Sequence, residues 1–209
     1  AILDPVLTVT LPPAVTASTG LDALCHATES FISRGANFLT EAVSLNAVKL
    51  IWENLPVVYE NGRSLQHRDS MLYGSFLAGV GLANAGVTAV HSISYPLGGA
   101  FGVAHGIGNG LLLPYVLEFD MPESAGKIAR LADYVGIEGK NDIEKADTFI
   151  ETLKGLVKKF RIPGLQEFGI SSENLESLAQ DALKVTVPLG NNPKMVTAQD
   201  IIEIYKKVL

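Results

Sequence analysis

The sequence predicts an all-α fold, and three observations support that prediction. Several long segments repeat apolar residues at spacings of three and four, as helices with one buried face do. Runs that alternate like a β-strand are few. Residues typical of helix starts precede several of the periodic segments. A chain of 209 residues without repeats or low-complexity tracts is long enough for one large domain with a sizeable core.

Residues 1–18 are expected to form an extended connector rather than a helix. Apolar and polar residues alternate from Leu7 to Leu11, and the prolines that follow disfavour a helix there. The chain has no initial Met and no charged start of a signal peptide, and we expect it to continue a preceding domain. Thr19 is the expected N-cap of the first helix, which should end near Gly35.

The remaining helices, in residues 19–209, are assigned from apolar periodicity and from their boundary residues. A Thr197-x-x-Asp200 start resembles a capping box. The expected helices are Thr40–Leu55 with Thr40 as N-cap, Ser64–Ala85, a short helix around His91 that Pro96–Gly99 breaks, His105–Leu113, Pro122–Val135, Asp142–Phe160, Ser172–Leu183 and Thr197–Val208.

Composition excludes several classes of partner. A net charge of -6 and a pI near 5.2 argue against a nucleic-acid or anionic-membrane surface. The most apolar run, Phe76–Val90, is too short to span a bilayer. The single cysteine, Cys25, excludes an internal disulfide and indicates a reducing, cytoplasmic location; we expect it to be a small buried residue. Charged residues make up only 18%, which suggests that another domain covers part of the surface.

Four residues form a candidate metal site. Asp22 and His26 are four residues apart on a predicted helix and therefore project from one face. His91 and His105 each lie beside glycine-rich backbone. One carboxylate and three imidazoles suit Fe(II), Zn(II), Mn(II) or Co(II) rather than Ca(II) or Mg(II). From the residues alone, a surface Asp–His pair and two ordinary core histidines remain an open alternative, because no principle links the helix pair to two distant histidines.

Gly106, Gly108 and Gly110 follow His105 at alternate positions, as in a phosphate-binding loop. They do not match the dinucleotide-binding glycine fingerprint, and no strand precedes them. Tight helix packing at the metal is the better explanation.

Together these motifs resemble the C-terminal helical domain of the iron-containing (group III) alcohol dehydrogenases, relatives of glycerol dehydrogenase and dehydroquinate synthase. The resemblance covers nearly the whole chain. The matching motifs are Asp4–Thr8 with Leu11–Pro13, Thr19–Glu29, His91–Gly99 with Ala104–Gly106, Asn109–Pro114, and Asn192-Pro193 with Asp200-Ile201.

The resemblance implies that Asp22, His26, His91 and His105 bind Fe(II) or Zn(II). It also implies an N-terminal domain that holds NAD or NADP, entered through residues 1–18, and a homo-oligomer. The substrate would be a small alcohol or aldehyde whose oxygen the metal polarises during hydride transfer. By this account the isolated chain lacks most of the cofactor site and is inactive alone.

Two further residues have roles that the sequence leaves open. Many family members carry a histidine near the nicotinamide where this chain has Tyr95. We expect Tyr95 to be catalytic and cofactor-binding through a hydrogen bond or proton relay, although its ordinary pKa near 10 makes it a poor base; simple packing beside Pro96 is the alternative. Glu29, one turn after His26, either orients an imidazole or forms a solvated or structural ion pair.

Two other functions compete with the dehydrogenase. One is a non-catalytic metal-binding or oligomerisation module without a nucleotide domain. The other is a lyase of the dehydroquinate synthase type, which needs clustered Lys or Arg for an anionic substrate; Leu77–Leu117 contains neither residue. The sequence does not identify the alcohol, the nucleotide or the native metal.

Overall fold

A computed structural model describes all residues from 1 to 209, and it confirms the all-α prediction. Nine α-helices and three short 3-10 helices make up its regular structure, without a β-strand. The α-helices are α1 (Pro13–Ile32), α2 (Phe38–Glu60), α3 (Leu65–Ala85), α4 (Ala89–Phe101), α5 (His105–Tyr134), α6 (Asp142–Lys159), α7 (Leu175–Leu183), α8 (Thr186–Asn191) and α9 (Ala198–Lys206). The 3-10 helices are Pro5–Thr8, Leu165–Phe168 and Ser172–Asn174.

Helix α1 lies at the centre of the molecule and packs against α2, α3 and α5. Thirteen of its 20 residues are buried, so apolar contacts surround most of the helix. Between Leu21 and Ile32, only Asp22 and His26 are not buried. The one side of this segment that remains open therefore carries both candidate ligands.

The start of the chain differs from the predicted extended connector. A 3-10 helix forms at Pro5–Thr8, and α1 already begins at Pro13. The fixed φ and missing N–H of proline suit the first position of a helix. Thr19 therefore lies inside α1, where its Oγ1 donates to the Val15 carbonyl at 2.8 Å instead of capping the helix. The assignment of residues 1–18 to a link between domains stays a prediction.

Prolines account for the largest differences between predicted and observed helices. Helix α2 continues through Pro56, α4 through Pro96, and α5 through Pro114 and Pro122. The helices predicted before Pro114 and from Pro122 are therefore one helix of 30 residues. An internal proline costs about 3 kcal/mol, but each large apolar side chain that becomes buried contributes about 1.5–3 kcal/mol. Around Pro114 those buried side chains are Leu112, Leu113, Val116 and Leu117.

The other helix starts follow the sequence more closely, with two further differences. The capping box at α9 is present, because Thr197 Oγ1 accepts from Asp200 N at 3.3 Å and Asp200 Oδ2 accepts from Thr197 N at 2.9 Å. The N-cap of α2 is Asn37 instead of Thr40, whose hydroxyl completes a capping box from within the first turn. The segment Ser172–Asn174 is a 3-10 helix that precedes α7.

A sharp bend between α3 and α4 brings His91 towards α1. The bend contains Gly86, whose φ of 74° is accessible mainly to glycine.

No single helix is both long and apolar enough to cross a bilayer. Helices α3 and α4 reach the required length and apolar composition only when they are taken together, and they lie at 104° to each other.

Candidate metal centre

Three helices bring the four candidate ligands together. Asp22 and His26 lie one turn apart on α1, His91 lies in the first turn of α4, and His105 is the first residue of α5. Their possible ligand atoms all lie within 4.8 Å of one another. The structure thus assembles every residue that the family resemblance implies as a ligand, and their binding of a cation stays a prediction.

The cluster is closed on one side and open on the other. His91 is only 2% exposed, whereas the side chain of His105 is 45% exposed. The ring of His91 lies 4.8 Å from that of His26 and 5.1 Å from that of His105, between centroids. His105 Nε2 is 3.6 Å from Asp22 Oδ1. A small molecule therefore has access only from the side of His105.

Two glycines allow α5 to approach α1 at this point. A Cβ on Gly106 would overlap the Ser18 carbonyl, and a Cβ on Gly110 would lie 2.9 Å from Leu21 Cβ, closer than side chains tolerate. These contacts support the interpretation of the glycine series as close helix packing rather than a phosphate loop. The approach sets the distance between His105 and the residues of α1.

Behind the cluster, the carboxylate of Glu29 is completely buried and binds Nδ1 of His91. Its Oε1 accepts hydrogen bonds from Thr88 N, Thr88 Oγ1 and Val90 N at 2.9 to 3.0 Å. These donors compensate for the burial of the charge. Because Nδ1 of His91 is bonded to a carboxylate, its proton lies there, and the lone pair of Nε2 points into the cluster. The contact supports the orienting role among the interpretations of Glu29.

The charges of these groups act in opposite directions on the two imidazoles: the raised pKa of His91 favours its protonated ring, whereas the lowered pKa of His26 favours a free lone pair. Burial alone would raise the pKa of Glu29, but the charge and hydrogen bond of His91 hold that pKa below its usual range. Burial would lower the pKa of His91, yet Glu29 raises it above its ordinary value. Burial lowers the pKa of His26, and the neighbouring imidazoles add to that effect while Asp22 opposes it. His26 is therefore neutral at pH 7, with a lone pair available.

Cys25 lies on the interior side of α1, close to the same carboxylate. It is fully buried, and its Sγ donates to Glu29 Oε2 at 3.4 Å. Burial, followed by the charge of Glu29, raises the pKa of the thiol well above its ordinary value. A thiol that stays protonated is neither a nucleophile nor a metal ligand. Cys25 is thus the small buried residue that the sequence led us to expect.

Tyr95 lies on the open side of the cluster and is 45% exposed. Its ring stacks on His105 with 5.7 Å between centroids and meets His91 edge-on at 5.9 Å. Burial, then the charges of Glu29 and Asp22, raise the pKa of its hydroxyl. At neutral pH the hydroxyl is protonated and can donate a hydrogen bond to a molecule on this side.

Asn109 completes the cluster, and sequence reasoning gave it no role there. It lies on α5 one turn after His105 and is fully buried. Its Nδ2 lies 2.7 Å from Asp22 Oδ1, 3.0 Å from His105 Nε2 and 3.1 Å from His91 Nε2. The spacing of four residues from His105 is the sequence signal that points to it.

A second buried carboxylate supports the start of α4. The amide of Asn192 accepts from Ala89 N at 3.1 Å and donates to Asp120 Oδ1 at 2.7 Å. Asp120 is completely buried, and its Oδ2 has no hydrogen-bond partner. Burial raises the pKa of Asp120 from 3.8 to about 7, although the hydrogen bond from Asn192 opposes the rise. The charge of Asp120 therefore changes near neutral pH.

Comparison with known proteins gives a consistent result. A family model described as the Fe-containing alcohol dehydrogenase family, C-terminal, matches residues 16–209. The NAD-dependent methanol dehydrogenase of Bacillus methanolicus is 38% identical over 212 residues, and Long-chain-alcohol dehydrogenase 1 of Geobacillus thermodenitrificans is 41% identical. The alignments cover 100% and 99% of this chain but 55% and 53% of those proteins. The chain thus spans about half the length of the curated relatives it matches.

Solved structures agree with this chain over nearly its full length. A 1,3-propanediol oxidoreductase superposes with a TM-score of 0.95 at 34% sequence identity. The superposition covers 99% of this chain and 55% of the oxidoreductase chain. The alcohol dehydrogenase from Oenococcus oeni gives a TM-score of 0.94 at 32% identity, with coverages of 99% and 54%.

Proposed function

The chain belongs to the Fe-containing alcohol dehydrogenase family as its C-terminal domain, and from that premise we propose that it is the metal- and substrate-binding part of an NAD(P)-dependent alcohol dehydrogenase. The observation behind this proposal is the convergence of Asp22, His26, His91 and His105 at an open surface. The relatives are named for alcohols that range from methanol to long-chain alcohols, which supports the substrate class but no single alcohol.

The four donors fit a divalent cation of borderline hardness, such as Fe(II) or Zn(II). Atoms bonded at about 2.1 Å to a tetrahedral centre lie about 3.4 Å apart. The 3.6 Å between Asp22 Oδ1 and His105 Nε2 is close to that spacing. Because Glu29 holds the proton of His91 on Nδ1, Nε2 is free to bind.

When bound, such a cation polarises the substrate oxygen while a nicotinamide exchanges hydride with the substrate carbon. Asp22 contributes the one negative charge of the ligand set, and Glu29 fixes the orientation of His91. The exposed His105 and Tyr95 form the side from which an alcohol or aldehyde approaches. We assign to Tyr95 a hydrogen bond to the substrate oxygen and contact with the nicotinamide.

The exposure of the cluster at the surface of this chain supports a site that lies in a cleft shared with another domain. None of the cavities in the surface of this chain is lined by the four candidate ligands. Dehydrogenase sites exclude water on more sides than this surface does. We assign the missing wall to an N-terminal domain that binds NAD or NADP. The exposed Phe38 and Leu39 at the start of α2 support association with a second copy.

Metal analysis tests the binding part of this proposal. The chain is reconstituted with Fe(II) or Zn(II), freed of excess metal and measured for metal per chain. We expect near-stoichiometric metal in the parent and almost none in an Asp22→Ala, His91→Ala double variant. His67→Ala, which changes the one histidine outside the cluster, is the matched control and should keep the metal. A parent chain that remains metal-free would contradict the proposal.

Activity requires the rest of the enzyme. The chain is joined to the N-terminal portion of the Klebsiella pneumoniae 1,3-propanediol dehydrogenase, which is 35% identical over the matched region. We expect NAD- or NADP-dependent oxidation of a primary alcohol that the double variant loses. A folded, metal-loaded chimera without such activity would favour the non-catalytic metal-binding module instead.

A further inference from the structure

We propose that Asn109 is a positioning residue that assembles three of the cation ligands before a cation arrives. The inference rests on the proposed function, because it concerns the same cluster. Asn109 contacts Asp22 on α1, His91 on α4 and His105 on α5. Its amide thus connects candidate ligands from all three helices at the cluster.

The contacts fix which end of the amide points inwards. A carboxylate oxygen and two imidazole nitrogens surround the inner atom of Asn109 at 2.7 to 3.1 Å. Oδ1 of Asp22 belongs to a carboxylate and can only accept. In the neutral ring of His91, Nε2 is likewise an acceptor, because Glu29 holds the proton on Nδ1. Acceptors demand a donor, so the inner atom is the amide nitrogen with its two N–H groups. Its partial positive charge holds together lone pairs that would otherwise repel one another.

The other end of the amide shows that this arrangement has a cost. Oδ1 of Asn109 is buried and has no hydrogen-bond partner. A buried acceptor without a partner is unfavourable, and a leucine of similar size would avoid that loss. The fold therefore keeps a polar group whose inner contacts, all with candidate ligands, are its only hydrogen bonds.

A bound cation changes these contacts unequally. The lone pairs of the two imidazoles turn to the cation, so the N–H contacts with His91 and His105 are lost. Asp22 is a carboxylate with more than one lone pair on each oxygen, and it keeps its bond from Asn109 while it binds the cation. The bond at 2.7 Å then holds the Asp22 carboxylate in the orientation that the cation requires.

Zinc affinity in two variants tests this role. Asn109→Leu keeps the volume without the N–H groups, and Asn109→Ala removes both. The matched control is Asn84→Ala, because Asn84 is an exposed helical asparagine that donates only to the Val80 carbonyl. We expect both Asn109 variants to bind Zn(II) about 10- to 100-fold more weakly in competition with a chelator, and the control to bind as the parent does.

A structural role and a positioning role differ in two ways. A structural role would lower the urea midpoint of unfolding and leave the zinc affinity of the folded protein unchanged, and that result would overturn the proposal. In an Asp22→Ala background, Asn109→Leu should change the zinc affinity much less, because the hydrogen bond between Asn109 and Asp22 is already absent. An undiminished effect there would equally count against the proposed route through Asp22.

One measurement needs neither a variant nor a metal. In the parent chain with EDTA, NMR scalar coupling across the hydrogen bond should connect the side-chain N–H of Asn109 with Nε2 of His91 or His105. Absence of that coupling overturns the inference even if the parent binds zinc. A parent that binds no zinc but displays the coupling refutes the proposed function and leaves the role of Asn109 in assembling the cluster intact.

Discussion

Replacement of Asp120 by asparagine should remove a pH dependence of folding stability. The pKa of Asp120 is about 7 in the folded chain and 3.8 ordinarily, so the folded state binds the proton more tightly. The stabilisation that this proton contributes is therefore fully present below about pH 4 and is lost as the pH rises towards 7. At 1.36 kcal/mol for each pH unit, the total loss is about 4 kcal/mol, of which about 2 to 3 kcal/mol falls between pH 5 and pH 8. The Asp120→Asn variant cannot ionise and keeps an oxygen that accepts from Asn192.

The assay is urea unfolding of the parent and the Asp120→Asn variant at pH 5 and pH 8 with EDTA. Titrating groups that do not interact with Asp120 contribute equally to both proteins and cancel in the difference. The free energy of unfolding of the variant, taken relative to that of the parent, should be about 2 to 3 kcal/mol higher at pH 8 than at pH 5. Asp147→Asn, at an exposed position, is the control and should gain nothing. An equal difference between parent and Asp120→Asn at both pH values would refute the account of a buried, poorly partnered carboxyl.

Three other substitutions have defined outcomes. Glu29→Gln should weaken Zn(II) binding about 10- to 100-fold in calorimetry, because His91 loses its charged partner; an unchanged affinity would contradict the orienting role. Gly106→Ala should lower the free energy of unfolding by about 1–3 kcal/mol, because its Cβ would overlap the Ser18 carbonyl; a neutral result in urea unfolding would mean that α5 can shift freely. Tyr95→Phe should keep full metal content in the chimeric enzyme and reduce kcat about 10- to 100-fold through the lost hydrogen bond; an unaltered kcat would favour simple packing beside Pro96.

Local patterns predicted most of the helices and failed mainly at prolines. Apolar periodicity and capping residues depend on neighbours in sequence, so α6 and α9 were predictable from their own residues. The rule that proline ends a helix holds for an isolated segment. Pro96 and Pro114 lie in helices that have buried apolar side chains both before and after the proline. The stabilisation from that burial depends on tertiary contacts, which a short stretch of sequence does not contain.

The candidate site was predictable to the extent that it is local. The spacing of Asp22 and His26 placed both on one face of α1, but no local rule brings His91 and His105 to them. Only the resemblance to a family joined the four. The partner of Glu29 was likewise undetermined, because its contact with His91 spans 62 positions of the chain.

Asn109 and Asp120 show what remained hidden. The first lies one turn after His105, a local signal that matters only once His105 has a place in the fold. Asp120 has no distinguishing signal, because its raised pKa arises from burial by segments distant in sequence.

The first turn of α4 also links the site to the order in which the chain folds. Its backbone N–H groups are bonded by side chains from both directions along the chain: Glu29 receives those of Thr88 and Val90, and Asn192 receives that of Ala89. These contacts span 59, 61 and 103 positions. Such distant closures come late in folding, since the entropy of the intervening chain must be lost first. During synthesis, α1 can form long before Asn192 leaves the ribosome, and the start of α4 that carries His91 acquires its final support only after Asn192 has emerged.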